Sequence, residues 1–122
     1  MIRVVVADDE PDVRLLLRVQ LERQGFDVVG EAVDGREAIE RCADTEPDAL
    51  VLDLLMPGVN GFEAITELRH DRPNMAIIAY TAVAGDFVRK EMARLRIPLL
   101  LKSGDVTALA TKLNEVAAGA DV

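Results

Sequence analysis

Apolar residues along this chain come in two alternating rhythms. Short runs rich in Val, Ile and Leu occupy Ile2–Ala7, Ala49–Asp53, Met75–Tyr80 and Pro98–Leu101, and a more mixed strand-like run covers Asp27–Ala32. Runs this short and this apolar suit strands covered on both faces. Between them, and after the last, apolar positions return at helical spacing. Five strand-like runs alternating with helix-period segments predict an α/β domain: a doubly wound, five-stranded parallel sheet flanked by five helices.

The helices have legible ends and inner faces. Pro11 suits the first turn of a helix reaching about Gln24, with Val13, Leu16, Leu17 and Leu21 on its core side and Gly25 ending it. Asp34 followed by Glu37 reads as a capping box for a helix that turns Ala38, Ile39 and Cys42 inward. Met56 to Gly61 is dense in turn residues and predicts a loop, after which Asn60 and Glu63 cap a helix carrying Phe62, Ile65 and Leu68 inward. A helix near Asp86–Leu95 buries Val88 and Met92. The last, from near Asp105, has a stripe at Val106, Leu109, Ala110, Leu113, Val116 and Ala117.

Composition narrows the class. A length of 122 residues suits one domain with a full core, and no repeat, linker or output domain is read within 1–122. Half the residues are hydrophobic but 3% are aromatic, so the core is aliphatic. Fourteen basic against 22 acidic residues give a net charge of −8, which argues against direct nucleic-acid binding and against an anionic membrane surface. The single cysteine, Cys42, excludes an internal disulfide and reads as a buried thiol. With no signal-peptide pattern and no apolar stretch near the ~20 residues of a membrane span, the expectation is a cytoplasmic protein.

Five polar residues stand where the apolar runs end: Asp8 and Asp9, Asp53, Thr81 and Lys102. In a parallel sheet the carboxyl ends of the strands form one edge, where open α/β folds bind ligands. Three carboxylates, a hydroxyl and an amine suit a hard cation and a phosphoryl group. Each has a plain alternative taken singly: Asp9 as a residue preceding a helix, Thr81 as a β-branched turn residue, Lys102 as a solvated lysine. His70, in the polar helix end Arg69–Pro73, reads as a surface histidine, and Glu10 as a support for the acid pair.

The order of these residues, with Val6-Ala7-Asp8-Asp9-Glu10, Val51-Leu52-Asp53-Leu54-Leu55-Met56-Pro57-Gly58, Tyr80-Thr81-Ala82 and Leu100-Leu101-Lys102, resembles the receiver domain of two-component response regulators along the whole chain. Gly30-Glu31-Ala32-Val33-Asp34-Gly35 is similar to receivers that carry helix-turn-helix output domains. The resemblance implies a flavodoxin-like strand order 2-1-3-4-5 and roles for particular residues. Asp53 would accept a phosphoryl group from a histidine kinase or phosphotransfer protein. Asp9 would bind Mg²⁺ directly and Asp8 through water, with Asp53 and the Leu55 carbonyl completing the set. Lys102 would pair with phosphoryl oxygens and Thr81 would hydrogen-bond the bound group. Three acids, one divalent cation and one lysine sum to zero charge, so an arriving dianion is not repelled. Such a protein is a signalling switch acting only on its own phosphorylation, with a homodimer or a downstream protein as its further partner. The resemblance to DNA-binding regulators is compatible with a fragment, the initiating Met with a stand-alone protein.

Three stretches, four residues in all, depart from that family. Leu99 stands at the switch position, where an aromatic is usual. Leu95-Arg96 replaces a Gly-Ala pair, so the preceding helix is expected to end differently, since leucine resists a left-handed turn. Ser103 follows the lysine where proline after a cis bond is common. The departures at Leu99 and Leu95-Arg96 motivate an alternative, a phosphorylation-independent interaction module. A haloacid-dehalogenase-type phosphatase is disfavoured because Leu55 stands where its general acid/base would be. A dinucleotide-binding protein is weaker still, since no Gly-x-Gly-x-x-Gly follows the first strand.

Overall fold

Every predicted strand and helix is present in the computed structural model, which describes residues 1–56, 61–82, 84–103 and 106–120. The elements run β1 (Arg3–Ala7), α1 (Pro11–Arg23), β2 (Asp27–Ala32), α2 (Gly35–Thr45), β3 (Ala49–Leu52), α3 (Gly61–Asp71), β4 (Ala76–Thr81), α4 (Asp86–Arg94), β5 (Leu99–Leu101) and α5 (Thr107–Ala120). All strand pairs are parallel, and the order in the sheet is β2-β1-β3-β4-β5. The expected α/β class and strand order are therefore the observed ones.

Alternation along the strands divides the core into two layers. Val5 and Ala7 of β1 with Leu50 and Leu52 of β3 face α2, α3 and α4, where Cys42, Ile65, Leu68 and Met92 meet them. Val4 and Val6 with Ala49 and Val51 face α1 and α5, against Leu17, Leu21, Leu109 and Leu113. Successive side chains point to opposite faces, so strands covered on both sides must be apolar throughout. In β1 and β3, at the middle of the sheet, the one charged side chain is Arg3, at the first position of β1.

Element ends follow local chemistry. Gly25, at φ 93°, closes α1, and the Phe26 N–H returns to the Leu21 carbonyl at 3.0 Å. Asp34 caps α2 by accepting from the Glu37 N–H at 2.8 Å. The Glu37 carboxylate reaches back to the Val33 N–H, one residue before the position a standard capping box uses. Arg3 finishes the same helix from β1, its guanidinium donating to the Thr45 carbonyl at 2.6 Å and the Glu46 carbonyl at 3.1 Å. The Asn60 cap and the Asp105 start lie outside the described residues.

Several boundaries differ by a residue. Asp53 lies just beyond β3, whereas Thr81 is the last residue of β4 and pairs with Leu101. The expected irregular end of α4 is real and falls one residue later than the family pattern. Leu95 stays right-handed at φ −84°, and Arg96 takes the left-handed turn at φ 57°. The Ile97 N–H then closes onto the Met92 carbonyl at 2.8 Å, and both side chains are buried. No peptide bond is cis among the described residues, so Lys102–Ser103 is trans.

Gly61 opens α3 directly against the backbone that follows β3. A Cβ there would stand 2.7 Å from the Leu54 Cα and 3.1 Å from the Asp53 carbonyl oxygen. Gly30, by contrast, has room for a methyl group, its nearest neighbour being Val5 at 3.5 Å. Gly61→Ala is expected to cost about 1–3 kcal/mol in urea denaturation, whereas Gly30→Ala changes stability by less than about 1 kcal/mol. Equal effects of the two would contradict the close approach.

Candidate functional site

The strand order sets β1 beside β3, and their carboxyl ends carry Asp8 and Asp53. Both carboxylates are removed from solvent, at 1% and 4% residue exposure. Each is held by the same local device. Asp8 Oδ1 accepts from the Glu10 N–H at 2.9 Å, and Asp53 Oδ1 accepts from the Leu55 N–H at 3.0 Å. These are Asx turns, in which a short acid satisfies a backbone donor two residues on. The second oxygen of each acid faces Lys102: Nζ lies 2.5 Å from Asp8 Oδ2 and 3.1 Å from Asp53 Oδ2.

Lys102 reaches this point because the Lys102 N–H bonds the Thr81 carbonyl at 2.8 Å, extending the β4–β5 ladder by one step. Thr81 is thereby fixed on the same edge and is fully buried. Asp9 and Glu10 are exposed. One carboxylate oxygen from each of Asp8, Asp9 and Glu10 lies within 4.8 Å of the others. Four of the five strand-end residues, Asp8, Asp9, Asp53 and Lys102, thus meet through these contacts, and Thr81 borders them through the β4–β5 ladder. His70 stands apart and is exposed.

Burial governs the electrostatics. It pushes the Asp53 carboxyl above the ordinary aspartate range, more than the Leu55 N–H and Lys102 pull it down, and the Asp8 charge adds to the rise. Burial alone would lower the Lys102 ammonium, but its hydrogen bonds and charge pairing with Asp8 and Asp53 outweigh that and raise it. The lysine is thus held charged while the aspartate resists ionisation. Cys42, buried in the core, has its thiol pushed up to about 12, which makes it inert.

The donors fit a small hard cation, being oxygens only: the clustered carboxylates of buried Asp8 and exposed Asp9 and Glu10, with buried Asp53 joined to Asp8 through Lys102. What sequence reasoning missed is the Leu55 N–H, which orients Asp53; Glu10 stands beside the acid pair, where its reading as a support for that pair put it. The shared Asp-x-x geometry of residues 8–10 and 53–55 was the available signal. A surface depression lined by Glu46, Asp48, Asp71 and Arg72 lies among residues that flank the amino ends of β3 and β4, and none of the strand-end residues borders it.

The family model of the response regulator receiver domain matches residues 4–114, and the chain belongs to that family. It is 38% identical over 81 residues to the chemotaxis protein CheY of Thermotoga maritima, a match covering 66% of this chain and 68% of that protein. It is 36% identical over 85 residues to the alkaline phosphatase synthesis regulator PhoP of Bacillus subtilis, covering 70% of this chain but 35% of that longer protein. Among solved structures, the response regulator TrrA of Thermotoga maritima, in complex with Mg²⁺ and beryllium fluoride, superposes with a TM-score of 0.85 at 30% identity. That match covers 95% of this chain and 99% of TrrA. Receivers are signalling switches of two-component systems. No helix among the described residues is long and apolar enough to cross a membrane.

The raised Asp53 carboxyl has a thermodynamic consequence. A folded-state pKa above the unfolded one means ionisation opposes folding, so this group's stabilising contribution is present at acid pH and lost as pH rises through the raised value. Asp53→Asn removes that loss. In chelator-treated buffer the variant's melting temperature is expected to exceed the wild type's at pH 7, with a gap that shrinks toward pH 4. A gap independent of pH would contradict the burial argument.

Proposed function

We propose that this receiver is a cytoplasmic switch that accepts a phosphoryl group on Asp53 from the phosphohistidine of a histidine kinase or phosphotransfer protein. The observation that carries this reading is the buried Asp53 carboxylate, joined to buried Asp8 by the Lys102 ammonium at the sheet's carboxyl edge. An Asp53 carboxylate oxygen attacks phosphorus and the P–N bond to the imidazole breaks. The departing ring nitrogen keeps the electron pair and takes a proton, leaving an acyl phosphate on Asp53.

Asp53 is prepared for this step by its surroundings. The Leu55 N–H holds one oxygen and leaves the other toward Lys102. Burial excludes water and makes the ionised carboxylate costly, so transferring it into a charge-neutral cluster is favourable. Lys102 supplies a fixed positive charge for the phosphoryl oxygens, and Thr81, at the end of β4, offers its hydroxyl to the bound group. Asp9, Asp53 and the Leu55 carbonyl would hold Mg²⁺, with Asp8 acting through water, and the ion would neutralise the charge of acids and phosphoryl oxygens. No further general base is needed, because positioning and neutralisation supply most of phosphoryl-transfer catalysis.

The output is a change in contacts with a second copy or a downstream protein. Leu99 is half-buried and packs on the layer formed by α2, α3 and α4, so it fills apolar space without a ring to move. The complete set of acids, hydroxyl and amine favours the phosphorylatable reading over a phosphorylation-independent module.

Incubation with a small acyl-phosphate donor and Mg²⁺, followed by intact mass measurement, is expected to add one phosphoryl group to the wild type and none to Asp53→Asn. Chelation should abolish the addition. An unmodified wild type, or an Asp53→Asn variant that gains the same mass, would overturn the reading.

A further inference from the structure

Asp9 is the acid proposed to meet the cation directly, yet no hydrogen bond or ion pair holds its carboxylate among the described residues. Asp8, by contrast, is fastened at both oxygens. Asp9's aim therefore depends on the backbone that carries it. The planar peptide joining Asp8 to Asp9 fixes where the Asp9 Cα sits, and the Asp8 carbonyl lies in that plane. The preceding peptide is anchored to the sheet, its Asp8 N–H donating to the Ala32 carbonyl of β2 at 3.0 Å. The Asp8 carbonyl has left the β ladder, and the Arg14 Nη1 donates to it at 2.7 Å.

Arg14 is itself locked. Its Nε lies 3.3 Å from Glu31 Oε1, and Glu31 also accepts from the Arg18 Nε at 2.7 Å. The Arg14 side chain is 17% exposed against 38% for Arg18, so the inner arginine is the better shielded of the two. The forked guanidinium can hold a carbonyl and a carboxylate together because its donors point in different directions. Glu31 sits on β2 in register with Val6 of β1, so the chain of contacts runs from one strand through Arg14 to the loop after the next.

We propose that Arg14 is a positioning residue for the acid pair: by holding the Asp8 carbonyl against Glu31, it sets the Asp8–Asp9 peptide so that Asp9 faces the cation. This rests on the reading of Asp8, Asp9 and Asp53 as a divalent-cation site. It assigns Arg14 no contact with metal or phosphoryl group. The supporting shell of a metal site commonly changes affinity about tenfold or more when removed.

Calorimetric titration of the full chain with MgCl₂ tests this, alongside thermal unfolding in chelator. Arg14→Gln is expected to bind Mg²⁺ about tenfold more weakly while keeping a cooperative melting transition. Arg18→Gln breaks a bond to the same Glu31 but leaves the Asp8 carbonyl held, and its affinity should stay within about twofold of the wild type. Arg14→Lys keeps one donor and should recover part of the loss; it also serves as the test if the glutamine variant fails to fold. Wild-type affinity in both Arg14 variants, or equal losses in Arg14→Gln and Arg18→Gln, would overturn the proposal. A wild type that binds no Mg²⁺ would instead overturn the cation reading, and the proposal with it.

Discussion

Two carboxylates share one ammonium because the fold leaves them no alternative. Asp8 and Asp53 stand at the ends of adjacent parallel strands, both out of reach of solvent, and Lys102 lies between them. Two buried like charges repel and are costly to desolvate, and a single lysine relieves that only in part. The raised Asp53 carboxyl records the remainder. On the proposed reading, such a site would gain from a divalent cation and tolerate an arriving phosphoryl group, which links the architecture to the chemistry.

The constraint originates in the sheet. Strands β1 and β3 contribute side chains to both core layers, so no polar residue can sit within them. The acids are expelled to the carboxyl ends, and the strand order brings those ends together where the chain reverses direction across the sheet. Gly61 then lets α3 press against the backbone of residues 53 and 54. The position of Asp53 is thus set by sheet, turn and helix together rather than by a flexible loop.

Much of this was legible beforehand, for a physical reason. Doubly covered strands produce apolar runs that stand out from helical periodicity, so β1, β3 and the helix stripes at Leu17, Leu21, Leu109 and Leu113 were readable from spacing alone. Polar residues at the ends of such runs marked the candidate site. What spacing could not show were contacts made by backbone and by distant side chains: the Leu55 N–H on Asp53, the Arg3 guanidinium closing α2, and the Arg14 bond to the Asp8 carbonyl. The end of α4 was half legible. Leucine's resistance to left-handed backbone predicted a changed ending, but which neighbour would take the turn depended on burying Ile97 against Met92.

The proposed reactive oxygen belongs to a buried aspartate, Asp53, rather than to the exposed Asp9. Borohydride reduction of the phosphorylated chain, followed by peptide mass mapping, reads this directly, since an aspartyl phosphate is reduced to homoserine where it formed. Homoserine is expected at position 53, with unchanged aspartate at positions 8 and 9. Homoserine at Asp9, or spread over several surface acids, would contradict it.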